Sequence, residues 1–93
     1  MIINENWITN WQQNDNFDDI EILVAYDEDT KYILFSKFNY GDYSIRMVKE
    51  DRISGERVPV SNLIMVQNIG DNVVDLVKSR GEQLVESWLK EHA

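Results

Sequence analysis

The stretch that decides the fold is Ile20-Glu21-Ile22-Leu23-Val24-Ala25-Tyr26, then Asp27-Glu28-Asp29-Thr30, then Lys31-Tyr32-Ile33-Leu34-Phe35-Ser36-Lys37-Phe38. The first seven residues alternate as a strand does, with Ile20, Ile22, Val24 and Tyr26 on one face and Leu23 and Ala25 on the other. The next four are turn formers. The last eight return as a second strand. Both faces of the resulting hairpin (strands 20–26 and 31–38) are largely apolar, which places at least one of the two centrally in a sheet.

Reading toward the C-terminus, Asn39-Tyr40-Gly41-Asp42 is a second turn. A third strand covers 43–49, with Tyr43, Ile45 and Met47 facing one way and Ser44, Arg46 and Val48 the other. Its cleaner alternation predicts one wetter face. A loop over 50–56 contains Ser54-Gly55, and a fourth strand spans 57–67. Pro59 has no N–H to donate, so this strand begins at an edge or is bulged near there. Consecutive strands with short links argue for an antiparallel meander.

Helices flank the meander. Residues 5–13 read as a short N-terminal helix capped by Asn4. Ile3 and Ile8 have the spacing of a hydrophobic staple, and Trp7, Ile8 and Trp11 share a face. Residues 71–91 read as a longer helix that Asp71 can cap. Val73, Val74, Val77, Leu84, Val85 and Trp88 form its apolar stripe. Gly81 interrupts that stripe. Either the backbone closely approaches the sheet there, or the helix breaks, an option that the capping-box spacing of Ser79 and Glu82 keeps open. The predicted fold is therefore α+β: a meander of about four strands with both helices packed on one face, in a single domain over 1–93.

Composition narrows the function classes. The chain has no Cys, so disulfide and thiol chemistry are excluded and a reducing cytoplasm suits it. No apolar run approaches the roughly 20 residues of a membrane helix, and Met1-Ile2-Ile3 is not followed by the features of a signal peptide. Ile (ten) and Asn (nine) far outnumber Ala (two) and Pro (one), a bias expected of an AT-rich genome such as a low-GC bacterium or its phage. The one His, His92, is next to the C-terminal residue and is a poor general base there. No nucleophile elbow, Ser-x-x-Lys pair, calcium loop or Gly-rich phosphate loop is present, so the expectation is a non-enzyme without metal or cofactor.

Charge is the feature that points toward a function. Residues 1–30 hold eight acids (Glu5, Asp15, Asp18, Asp19, Glu21, Asp27, Glu28, Asp29) and no Lys or Arg, whereas residues 31–93 hold nine of each. The net −8 is thus −8 plus 0. Such a field favours a basic partner. The expectation is one acidic face, built from Asp15, Asp18, Asp19, Glu21, Asp27, Glu28 and Asp29, that docks on a basic protein surface such as that of a nucleic-acid-binding protein. Trp7 and Trp11 are its candidate apolar anchors, because Trp is enriched at binding hot spots. The same indoles are also candidates for the core, as Trp88 is. A phage or mobile-element inhibitor, in effect a DNA mimic, is the setting this suggests.

Two alternatives stay open. One is a homo-oligomeric assembly component, joined by an unpaired edge strand or the Trp7/Trp11 face. The other is weak nucleic-acid binding through Arg46, Lys49, Arg52 and Arg57, although Glu50, Asp51 and Glu56 interleave with them.

Ala25-Tyr26-Asp27-Glu28-x-Thr30, leaving a strand in an acidic α+β chain, resembles a stretch in the phage uracil-DNA glycosylase inhibitors, which mimic DNA. The resemblance covers six positions. The long C-terminal helix departs from that family's helices-first order, and no functional residue is carried across.

Overall fold

In a computed structural model, which describes residues 1–92, the elements follow the order β1 (Ile2–Ile3), α1 (Trp7–Gln12), β2 (Ile20–Tyr26), β3 (Thr30–Asn39), β4 (Asp42–Asp51), β5 (Arg57–Pro59), β6 (Ile64–Gln67) and α2 (Val73–His92). The architecture is α+β, as the periodicity predicts. The strands form one antiparallel sheet in the order β1-β2-β3-β4, with β5 and β6 both pairing β4. The spine of the sheet is the β3–β4 hairpin, an unbroken ladder from Thr30↔Asp51 to Asn39↔Asp42.

Several expectations need correction. The fourth strand is two strands. Val60 N–H still reaches Met47 O (2.9 Å), but Met47 N–H donates to Ser61 Oγ (2.9 Å), a side chain standing where a ladder carbonyl would be. The interruption directly follows Pro59, whose missing donor weakens the ladder there.

The alternation in β2 also fails at one point. Leu23 pairs Ile33 and Ala25 pairs Tyr32, so Val24 is an extra, bulged residue. Beyond it the faces exchange: Val24 and Ala25 are both fully buried, while Tyr26 turns to the far face beside Lys31.

The N-terminal helix is shorter than predicted because Ile2 and Ile3 pair with Tyr26 and Ala25. Asn4 is the junction rather than the cap. Its N–H donates to Val24 O and its side-chain amide to Leu23 O, both at 2.8 Å, and Asn6 takes the N-cap position. With Asn6 at the N-cap, Ile3 and Ile8 no longer occupy the two staple positions. At the other helix, Leu76 N–H bonds Asn72 O (3.0 Å), so Asn72 rather than Asp71 occupies the capping position.

One face of the sheet carries the main core. Leu34, Ile45, Met47 and Val66 meet Val77, Val85 and Trp88 of α2, with Trp7 and Trp11 of α1 and Phe17 closing the side. Burying a side chain of this size contributes roughly 1.5–3 kcal/mol. Helix α2 runs unbroken through Gly81. The close approach made there is to Trp11 rather than to the sheet.

The opposite face is not bare. Leu23, Ile33, Val48 and Pro59 form a row across four strands, and Ile33 and Val48 are buried. Above that row Arg57 of β5 reaches Glu21 of β2 (2.6 Å) and Glu50 of β4 (2.7 Å). On a flat sheet β2 and β5 would stand about 14 Å apart, a gap that the Arg57 and Glu21 side chains bridge together across the row. That is how both faces of the hairpin accommodate apolar residues.

Candidate functional site

Of the seven candidate acids, five flank the two ends of β2, Glu21 lies within it, and Asp15 lies in the segment between α1 and β2. Asp18 and Asp19 lead into β2, whose first residue, Ile20, pairs Ser36. Asp27, Glu28 and Asp29 turn the chain after its last residue, Tyr26. Six residue steps of strand separate the groups, about 20 Å. The acids are therefore spread along β2 in two groups rather than gathered in one cluster: a strand carries its two ends apart however close they are in sequence.

At the Asp27–Asp29 end, bases are interleaved. The N-terminal amine lies 3.1 Å from Asp27 Oδ1. Arg52 N–H donates to Asp29 O and its guanidinium to Asp27 O, both at 2.9 Å, which ties this turn to the β4–β5 loop. Lys31 lies 3.9 Å from Glu50. In the loop, Asp51 accepts the N–H groups of Ile53 (2.8 Å) and Ser54 (2.9 Å). These bonds, Ser54 first, hold its carboxyl below the usual value. Glu21, in between, is committed to Arg57. Glu21 and then Glu50 raise the already high pKa of that guanidinium.

The other end is different. Asp18 Oδ1 accepts the Phe38 N–H (3.1 Å), fixing its carboxylate beside the tip of the β3–β4 hairpin. Asp42 opens β4 at that tip, and Lys37 is the nearest base along the ladder. The turn residues Tyr40 and Gly41 both have positive φ (52° and 91°), the geometry of a two-residue hairpin turn. Tyr40 is fully exposed. Glycine or asparagine suits this position, and a tyrosine there is strained. Asp19 is the other non-glycine residue with positive φ (54°), and it lies at this same end. Among the described residues Asp15, Asp18 and Asp19 enter no salt bridge.

Trp7 and Trp11 are removed as exposed anchors. They are 4% and 0% exposed, so no partner reaches them on this fold. Trp11 Nε1 donates to Lys78 O (3.0 Å), and its ring meets Phe17 edge-on at 4.5 Å. Their four-residue spacing marks a face and leaves open whether that face is covered. The exposed aromatic is Tyr40, which the sequence shows only as part of a turn. The signal available for it was a bulky residue immediately before Gly in a hairpin turn.

The basic residues do not form a stripe. Arg57 is consumed by carboxylates and Arg52 by a carbonyl. Arg46 and Lys49, three apart on one strand, point to opposite faces. A groove of about 710 Å³ lies between α2 and the interrupted edge, lined by Pro59, Val60, Leu84, Trp88 and Glu91 among others. None of the candidate acids lines it. Among the described residues no three His, Asp or Glu side chains converge as a metal ion requires. No helix there is long and apolar enough to cross a membrane. No family model, curated protein or solved structure matches the chain.

Proposed function

We propose that the protein is a non-enzymatic binding module that docks the hairpin-tip end of its sheet on a basic protein surface. The observation that carries this reading is the meeting of strain and charge at one place. Tyr40, a bulky residue held at positive φ, belongs to the end where Asp18 is fixed and Asp42 opens β4, and Asp19, an acid that adopts positive φ readily, adjoins it. Backbone strain persists only where the surroundings impose it, and it clusters at functional sites. An exposed tyrosine at the same end of the sheet as Asp18 and Asp42 supplies the two elements such an interface uses: a large amphipathic anchor and a complementary field that speeds encounter.

A basic groove of a nucleic-acid-binding protein fits that chemistry. The phage or mobile-element inhibitor setting is part of the proposal and rests on composition alone. The test is affinity capture from a bacterial lysate with the wild-type chain, Tyr40→Gly and Asp18→Lys/Asp19→Lys, at low and high salt. The expected result is a basic protein retained by the wild type at low salt and lost with either variant or with added salt. The same proteins retained by all three chains would overturn the reading.

A further inference from the structure

We propose that two copies of this chain associate through the free edge of β6. Residues Val58–Gly70 are thirteen consecutive positions without a charge, in a chain where 28% of residues are charged and the net charge is −8. This run forms the outer edge of the sheet beyond β4. For two copies of a strongly acidic molecule, an uncharged surface is where approach costs least.

The edge is protected unevenly. Its β5 half carries the usual defences: Arg57, Pro59 and the interruption that follows. Its β6 half has none, neither Lys, Pro nor a charge. At the opposite edge β1 and Asn4 cover the Leu23–Tyr26 end of β2, and the remainder of that strand carries the charged Glu21.

Exposed apolar side chains flank β6. Met65 (53% exposed), paired with Ser44, stands on the face away from the buried Val66, and Leu63 (51%) is exposed just before β6. Ile69 (77%) and Leu76 (43%) line, with Asp75 as the one charged residue, a shallow groove of about 420 Å³ beside the start of α2. An antiparallel pairing of β6 with its own copy is self-complementary. It satisfies the outward N–H and C=O groups of both strands and brings each apolar pair against its counterpart across a two-fold axis. The hairpin tips then point in opposite directions, so the acidic ends do not face each other.

The test is sedimentation velocity of the full chain from about 1 μM to about 1 mM, the range of a weak to moderate dimer, at about 50 and about 500 mM NaCl. A monomer–dimer equilibrium is expected whose affinity holds or rises with salt, because salt screens the repulsion between two acidic copies and no ion pair joins them. Met65→Lys and Leu76→Lys, both at exposed positions, should each weaken it roughly tenfold or more. Ile53→Lys, in the β4–β5 loop at the far end of the sheet, should leave it unchanged. A strict monomer at the highest concentration, a dimer that salt dissociates, or one that survives both lysine variants would each overturn the proposal.

Discussion

Gly81 of α2 lies against the indole of Trp11, so close that a Cβ at position 81 would come 2.5 Å from Cε2 and 2.7 Å from Nε1. The same indole donates from Nε1 to Lys78 O, one turn back along α2 (3.0 Å). Beside it Gln12 Nε2 donates to Glu82 Oε1 (2.7 Å). The short helix α1 is therefore held on the long one by a ring seated where a side chain is missing.

That seat makes Gly81→Ala destabilising. Alanine improves helix propensity by about 1 kcal/mol, but the clash with a fully buried ring costs typically 1–3 kcal/mol. A net loss of about 1 kcal/mol is expected in urea unfolding. Trp11→Phe in the same chain should relieve part of that loss, giving a coupled double-mutant cycle. An alanine variant as stable as the parent would contradict the close approach.

Ser36 is fully buried on β3, and its Oγ donates to Phe17 O (2.8 Å), pinning the segment before β2 to the sheet. Ser36→Ala leaves that carbonyl without a donor and should cost about 1–3 kcal/mol. The check is the denaturation midpoint, together with faster hydrogen exchange in the segment before β2.

The Arg57 bridge to Glu21 and Glu50 joins three strands, but Arg57 and Glu21 are partly exposed. Solvent screening limits the effect of Arg57→Gln to about 1 kcal/mol or less. The loss should shrink as NaCl is raised toward 1 M, where screening is nearly complete. A cost independent of salt would assign the residue's role to packing over Ile33 and Val48 instead.

Asp51 gives the β4–β5 loop a pH dependence of defined sign. The Ser54 and Ile53 N–H bonds favour the charged carboxyl and lower its folded pKa. Its contribution is therefore complete above the unfolded value of about 3.9 and is lost as pH falls through the lower folded value. An NMR titration should place the Asp51 carboxyl midpoint below the ordinary value, with the Ile53 and Ser54 amide shifts following it. Asp51→Asn should abolish that step. A midpoint at or above the ordinary value would contradict the hydrogen-bonded loop.

Much of the architecture follows from local pattern. The two-residue period of 20–26, 31–38 and 43–49 and the apolar stripe of the last helix are properties of the chain itself, since backbone geometry decides which neighbours share a face. The short turns between the strands then leave an antiparallel meander as the natural arrangement. The count of carboxylates in the first thirty residues is likewise fixed before folding.

The remainder depends on contacts between residues far apart in sequence. The bulge at Val24 and the split after Pro59 emerge only when a strand meets its partner's register. Whether Trp11 faces solvent or core is decided by a glycine seventy residues later. The acids divide because a strand is rigid and extended: β2 holds its ends, Ile20 and Tyr26, about 20 Å apart, and a basic side chain from the far edge then claims Glu21 between the two groups. Composition sets how much charge there is. Three-dimensional distance sets which charges act together.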